Sequence, residues 1–193
     1  MFNFGIDLSM HTVLCKVAIV GPESCGKTTL AMALQQKLQT AGMETAVVAE
    51  YARAYYAERA YVPTPGDVLA IARGQLAAEA EAAAGGARIL LCDSTVLTCL
   101  IWARVAFGTV EPALARLYDA RDYALTLLPR PDIPWTPDPL RSHPQQREML
   151  LGLYREALRF SPAPVVEIAG EGPQRIDLAW QALRQICPDL PKF

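Results

Sequence analysis

The sequence contains little that would connect it to a membrane, a nucleic acid or a metal cluster. No apolar run is long enough to span a bilayer, and the net charge of −2 gives no basic surface for nucleic acid or anionic lipid. Two histidines and five cysteines without a Cys-x-x-Cys pair form no zinc pattern. We therefore expect small-molecule partners, with no nucleic acid and no membrane. The oligomeric state stays open.

The cysteines and the first residues bear on the cellular compartment in which we expect the protein. The cysteines are Cys15, Cys25, Cys92, Cys99 and Cys187. They are scattered, and we expect them to be reduced, small apolar residues of a cytoplasmic protein. Residues 1–12 lack the basic segment of a signal peptide, and we expect a short, disordered leader, with Met10 as an alternative start. The remaining residues, 13–193, are predicted to form a single domain.

One segment organises the rest of the sequence. Residues Gly21–Thr28, GPESCGKT, match the phosphate-binding pattern G-x-x-x-x-G-K-[ST]. An apolar run at 17–20 precedes the segment, and the strong helix formers at 29–34 follow it. Strand, glycine loop and helix are the context in which this pattern binds the phosphates of a nucleoside triphosphate.

Each position of this phosphate loop has its own chemical reason. Gly21 and Gly26 permit backbone angles that turn successive N–H groups inward, and the following helix adds the positive end of its dipole. Lys27 supplies a point charge for the terminal phosphates, and Thr28 offers a hydroxyl to Mg²⁺. The residues that we expect to contact ATP are Gly21, Glu23, Ser24, Cys25, Gly26, Lys27, Thr28 and Thr29.

Helical and strand patterns alternate along the chain, which predicts an α/β P-loop NTPase fold with a five-stranded, mainly parallel sheet flanked by helices. The strands are predicted at 13–20, 45–49, 88–92, 123–128 and 165–169. The helices are predicted at 27–41, 51–59, 66–84, 95–107, 112–121, 145–160 and 173–186. Trp102 and Phe107 are predicted to be core residues. Six prolines fall between Pro129 and Pro144, and we predict that residues 129–144 form a lid loop.

Two acidic residues follow apolar strands, at the edge where open α/β sheets bind their ligands. Asp93 completes a Walker B pattern and is expected near Mg²⁺, although a helix N-cap is the other interpretation. Many P-loop ATPases carry a water-activating acid at the next position. Here that position is Ser94, which favours phosphoryl transfer to a bound acceptor. Glu50 is the candidate base for the acceptor hydroxyl, and an exposed strand-end acid is the alternative.

Further candidates lie around these acids. Arg141, after the proline-rich segment, is predicted to neutralise charge on the transferring phosphoryl group. Arg53 is a plausible partner for Glu50 or for a substrate oxygen. Tyr51 and Tyr55 belong to a tyrosine cluster that either stacks on a flat ring or packs under the lid. The catalytic candidates are Lys27, Glu50, Asp93 and Arg141, and the metal candidates are Thr28 and Asp93. We expect adenine near residues 170–175.

Several short motifs together resemble one family. They are Gly21-x4-Gly26-Lys27-Thr28, Glu50-Tyr51-x-Arg53, Gly74-Gln75, Asp93-Ser94-Thr95 and Trp135-x-x-Asp138-x-Leu140-Arg141. Their order is similar to that of NadR-like ribosylnicotinamide kinase domains, P-loop kinases of NAD salvage. The resemblance extends over nearly the whole chain after residue 13. This sequence differs from those domains at Thr95, where they often have an aspartate, and at Pro139, where they often have a glycine.

The resemblance implies an ATP- and Mg²⁺-dependent kinase that phosphorylates the 5′-hydroxyl of nicotinamide riboside. With this implication, the candidates for acceptor binding are Glu50, Tyr51, Arg53, Tyr55, Gln75, Trp135 and Asp138. Two alternatives stay open. One is a kinase for another nucleoside or a vitamin alcohol, and the other is a regulatory P-loop ATPase that acts as a nucleotide switch.

Overall fold

The computed structural model describes residues 14–141 and 143–191, so the predicted leader at 1–12 lies outside the described residues. Strands and helices alternate along these residues, as the sequence predicts. In chain order they are β1 (Cys15–Ile19), α1 (Lys27–Thr40), β2 (Thr45–Val48), α2 (Tyr51–Tyr56), α3 (Pro65–Ala84), β3 (Ile89–Asp93), α4 (Val96–Phe107), α5 (Pro112–Ala115), β4 (Leu125–Pro129), α6 (Arg147–Leu158), β5 (Val165–Ile168) and α7 (Pro173–Ile186).

The strands form one parallel sheet in the order β2-β3-β1-β4-β5, which confirms the predicted fold class. β1 lies in the centre, and its last residue, Ile19, pairs with Asp93 at the end of β3. Because parallel strands end at the same edge of a sheet, the segments after β1, β2, β3 and β4 meet there. These segments carry the phosphate loop, Glu50, Asp93 and the predicted lid.

Helices cover both faces of the sheet, because β1 is apolar on both sides. Val17 and Ile19 pack into a cluster with α1 and α7, whereas Ala18 and Val20 pack into a cluster with α4 and α6. β3 and β4 are buried along their whole length. This two-sided burial is typical of parallel strands, and it fixes the edge that carries the phosphate loop against a rigid core.

Some predicted boundaries are wrong. The predicted helix at 112–121 breaks into α5 and a separate 3₁₀ turn at Ala120–Asp122, because the Asp119 carboxylate accepts the Arg121 N–H at 2.9 Å and starts a new turn. β4 continues into Pro129, one residue beyond the prediction. The next N–H, that of Arg130, restores the ladder by donating to the Ile168 carbonyl at 2.9 Å. None of the described helices is both long and apolar enough to cross a bilayer.

Candidate active site

The phosphate loop connects β1 to α1 and has the backbone of an anion site. Ser24 and Gly26 have positive φ angles of 54° and 84°. A Cβ on Gly26 would lie 3.2 Å from both the Arg175 guanidinium and the Ile133 side chain, so glycine is needed there for space as well as for its angle. The loop therefore leaves its backbone N–H groups and the first turn of α1 available to phosphate.

Lys27 folds back over the loop. Its ammonium donates to the carbonyls of Gly21 at 3.2 Å and Pro22 at 3.0 Å. Burial alone would lower the pKa of Lys27, but the surrounding acidic groups, Cys25 and Glu50 foremost, hold that pKa above its ordinary value. Lys27 is therefore a fixed positive charge. Burial also raises the pKa of the Cys25 thiol, whose side chain is fully buried under the loop.

Arg175, in the first turn of α7, binds the phosphate loop through its side chain. It was not among the site residues predicted from the sequence. Its guanidinium donates to the carbonyls of Cys25, Gly170 and Arg130, each at 2.6 Å, and to the Asp132 carboxylate. Arg175 is 6% exposed. It connects the phosphate loop to the segments after β4 and β5. The available signal was an arginine two residues after Gly-x-Gly-Pro, at the start of a helix.

Thr28 and Asp93 lie together at the end of the paired strands. The Thr28 hydroxyl donates to Asp93 Oδ2 at 2.5 Å, whereas Asp93 Oδ1 is buried and has no hydrogen-bond partner among the described residues. Burial raises the pKa of Asp93, and the Thr28 hydrogen bond and the charge of Lys27 only partly offset this. A hydroxyl and an unpaired carboxylate oxygen beside a phosphate loop fit the oxygen ligands that Mg²⁺ prefers. The described residues contain no cluster of three side-chain metal ligands, so phosphates and water would complete the shell.

The residues after Asp93 decide between its two interpretations. α4 is capped by Thr95, whose hydroxyl accepts the Leu97 N–H at 3.2 Å, so Asp93 is not the N-cap. Ser94 has a positive φ of 73° and is buried. The position where a water-activating acid would stand therefore carries a buried hydroxyl, and Thr95, where similar domains often have aspartate, serves the helix start.

Four charged side chains form a chain of ion pairs along the rim of the site. Arg53 Nε lies 3.2 Å from Glu50 Oε2, and Arg53 Nη1 donates to Asp138 Oδ2 at 2.9 Å. Asp138 in turn lies 4.0 Å from Arg141 Nη2. Burial alone would raise the pKa of Asp138, but the Leu140 N–H and Arg53 outweigh it and hold the pKa below its ordinary value. The candidate base is thereby connected to the lid.

The segment predicted to form the lid lies on the phosphate loop. The Glu23 carboxylate accepts the indole N–H of Trp135 at 3.1 Å and the backbone N–H of His143 at 2.8 Å. The Ser24 hydroxyl accepts the Thr136 N–H at 2.9 Å and a guanidinium N–H of Arg141 at 3.4 Å. Glu23 and Ser24 thus anchor the lid, and Arg141 faces the site.

Two adjoining pockets occupy the space between these parts. The first has polar walls and is lined by Gly21, Glu23, Ser24, Gly26, Lys27, Thr28, Thr29, Glu50, Arg53, Thr98, Trp102, Leu140 and Arg141. The second is largely apolar and is lined by Glu50, Ala52, Tyr56, Tyr61, Pro63, Val68, Ile71, Thr98, Cys99, Trp102, Ala106, Phe107 and Leu140. Glu50, Thr98, Trp102 and Leu140 line both, and we call these four residues the junction. Trp102 and Phe107, predicted to be core residues, are half-buried and pack against the core, and both also line the apolar pocket.

Five residues predicted to bind the acceptor lie outside the lining of both pockets: Tyr51, Tyr55, Gln75, Trp135 and Asp138. Tyr51 packs its ring on Gly74, where a Cβ would lie 2.1 Å from the ring, and its N–H donates to the side-chain oxygen of Gln75 at 2.9 Å. The Tyr55 hydroxyl donates to Asp67 at 2.6 Å. Within the described residues, the tyrosines that line the apolar pocket are Tyr56 and Tyr61 instead.

The Glu-Tyr-x-Arg and Gly-Gln motifs therefore fit together physically. The tyrosine of one motif occupies the space left open by the glycine of the other, and the glutamine holds the start of α2. This packing fixes the direction in which β2 delivers Glu50.

One known protein family matches most of this chain, including the residues of the site. The model of a family described as AAA domain, AAA_28, matches residues 16–175. The chain belongs to this family. The match begins in β1 and ends at Arg175, so it spans the phosphate loop, Asp93, the lid and the guanidinium that holds the loop. No curated protein matches this AAA_28 member in sequence.

Solved structures share its fold at low sequence identity. A structure of NadR protein in complex with NAD and AMP-PNP is 20% identical, with a TM-score of 0.69, and covers 93% of this chain and 51% of its own. NadR protein in complex with NR is 19% identical with a TM-score of 0.72, covering 93% and 53%. Deoxyadenosine kinase from M. mycoides is 18% identical with a TM-score of 0.59, covering 89% and 100%. This chain spans about half the length of the two NadR chains.

Proposed function

We propose that this protein is an ATP- and Mg²⁺-dependent kinase of NAD biosynthesis that phosphorylates a hydroxyl of nicotinamide riboside. One observation carries the proposal: a polar pocket around the phosphate loop meets an apolar, aromatic pocket at a single carboxylate, Glu50. A phosphoryl donor and a flat acceptor ring have different chemical needs. The two pockets offer separate sites for them, side by side.

Four charged residues have roles in this reaction: Lys27, Arg141, Glu50 and Asp93. The loop amides and Lys27 bind the terminal phosphates, and Arg141 faces the phosphoryl group from the lid. Glu50 takes the proton of the acceptor hydroxyl as its oxygen forms a bond to the γ-phosphorus and the bond to ADP breaks. Mg²⁺, held by Thr28 and Asp93, would neutralise charge on the phosphates.

The choice of acceptor rests on the apolar pocket and on similarity. Tyr56, Tyr61, Trp102 and Phe107 give the pocket aromatic walls, which suit a planar heterocycle. The motif order and the folds of the NadR structures, one of which contains NR, favour nicotinamide riboside. A deoxynucleoside is the second candidate, because the deoxyadenosine kinase matches over its whole length.

The rival hypothesis is a nucleotide switch that hydrolyses ATP without an acceptor. The buried Ser94 at the position of a water-activating acid argues against it, and so does an apolar pocket next to the phosphates. The experiment that separates the two is ADP release from Mg-ATP with and without nicotinamide riboside, deoxyadenosine, adenosine or thiamine. The Lys27→Ala variant serves as the blank. A switch would release ADP at one rate whatever the acceptor.

A further inference from the structure

Thr98 lies at the junction of the two pockets and belongs to none of the motifs above. It is the third residue of α4, and its backbone N–H donates to the Thr95 carbonyl at 2.9 Å. Thr98 is 7% exposed, and it lines both the polar and the apolar pocket. The helix start fixes the backbone of Thr98 at the place where the acceptor would meet the γ-phosphate.

The Thr98 hydroxyl accepts one hydrogen bond and can still donate its own proton to another. The hydroxyl of Tyr154, on α6, donates to Thr98 Oγ1 at 3.3 Å. Tyr154 is 1% exposed, and burial raises the pKa of its hydroxyl, so it stays protonated and acts as a donor. Among the described residues, Thr98 Oγ1 donates to no protein acceptor. A hydroxyl that accepts one hydrogen bond still has its own proton to donate, and Thr98 is a lining residue of the junction.

We propose that Thr98 binds the acceptor: its hydroxyl donates a hydrogen bond to an oxygen close to the hydroxyl that is phosphorylated, and Tyr154 sets the direction of that bond. This inference rests on the proposed function and narrows its substrate class. It favours an acceptor with a second oxygen beside its primary alcohol, as the ring oxygen of a furanose is, over an isolated hydroxyethyl group such as that of thiamine.

Two substitutions at Thr98 separate its hydroxyl from its packing. Thr98→Val keeps the shape and removes the hydroxyl, whereas Thr98→Ser keeps the hydroxyl. With nicotinamide riboside as the probe, we expect Thr98→Val to lower kcat/KM for the riboside about threefold to tenfold and to leave KM for Mg-ATP unchanged. Thr98→Ser is expected to stay within about twofold of the parent protein. Tyr154→Phe is expected to show part of the Thr98→Val defect.

The outcomes distinguish this inference from the proposed function. If nicotinamide riboside stimulates the parent protein and Thr98→Val has the same kcat/KM for the riboside, the role of Thr98 is overturned and the kinase function stands. If Thr98→Ser is as poor as Thr98→Val, the residue serves packing, and the inference is overturned. Parental kinetics in Tyr154→Phe would overturn the positioning role of Tyr154. If no acceptor stimulates the parent protein, both proposals fail.

Discussion

Trp135 in the lid donates its indole N–H to the carboxylate of Glu23 in the phosphate loop, at 3.1 Å. The same carboxylate accepts the His143 N–H, so one acidic side chain holds two points of the lid. Glu23 also lines the polar pocket, so the two hydrogen bonds offset part of its negative charge beside the phosphate site.

The first prediction concerns this anchor. Glu23→Ala removes the oxygen that accepts both hydrogen bonds, so we expect the predicted lid to leave the loop more often and to expose the bond after Arg141 to trypsin. Arg130 precedes a proline and resists cleavage. We expect cleavage after Arg141 to be about tenfold faster than in the parent protein, because two lost hydrogen bonds of about 1 kcal/mol each partly add. Glu171→Ala, a change at an exposed acid, is the control. Equal cleavage rates would contradict the anchoring role.

The second prediction concerns the candidate base. Glu50→Gln keeps the shape and removes the proton acceptor, so we expect kcat with nicotinamide riboside to fall about 10²- to 10⁴-fold while KM for Mg-ATP changes little. Steady-state kinetics measures both. Glu44→Gln, at the exposed opposite end of β2, should behave like the parent protein. A Glu50→Gln protein with parental kcat would remove Glu50 from the mechanism.

The third prediction concerns the ion pair between Arg53 and Asp138 and its pH dependence. Because the pKa of Asp138 is lowered by folding, its charge stabilises the protein above the unfolded-state pKa of about 3.9, and the stabilisation is lost as pH falls through the lower folded value. At neutral pH, Asp138→Asn should therefore cost about 1 kcal/mol or less, since Arg53 is partly exposed.

Thermal unfolding of the parent protein and of Asp138→Asn between pH 7 and pH 2.5 checks the sign. The difference in Tm is expected to be constant at the upper end and to shrink only in the acid range. A difference that grows as pH falls would show that the ion pair is not the source of the stabilisation.

The fourth prediction uses two glycines inside helices. Gly74→Ala places a methyl group where the Tyr51 ring lies, and we expect a loss of about 1–3 kcal/mol in the free energy of unfolding. Gly152→Ala in α6 meets no atom within 4 Å, so we expect a gain of about 0.5–1 kcal/mol from helix propensity. Denaturant unfolding compares the two. Equal effects would mean that Tyr51 moves without cost and that the two motifs do not depend on each other.

The parts of the site that the sequence predicts are those in which local chemistry determines geometry. The phosphate loop follows from Gly26 and Lys27 with an apolar strand before them, and the parallel sheet follows from the alternation of elements. The adjacency of Thr28 and Asp93 could be predicted from the general rule that the ends of parallel strands lie at one edge of the sheet. In the structure, the Thr28 hydroxyl oxygen lies 2.5 Å from Asp93 Oδ2.

The parts that the sequence does not predict depend on long-range packing. Arg175 meets Cys25 across 150 residues, and no local pattern indicates that approach. Trp102 on an apolar helix is indistinguishable in sequence from a core residue, and only the position of α4 beside Glu50 makes it line a pocket. Tyr51 and Tyr56 share a cluster, but the turn of α2 decides which ring faces the pocket.

ADP release from Mg-ATP in the presence of nicotinamide riboside, measured against the same reaction without acceptor, decides whether the protein is a kinase. We predict a slow basal rate that rises many-fold with nicotinamide riboside, together with a phosphorylated riboside in the product, and no rise in the Lys27→Ala variant. A steady ADP release that no riboside, nucleoside or thiamine changes would contradict the kinase function and favour the nucleotide switch.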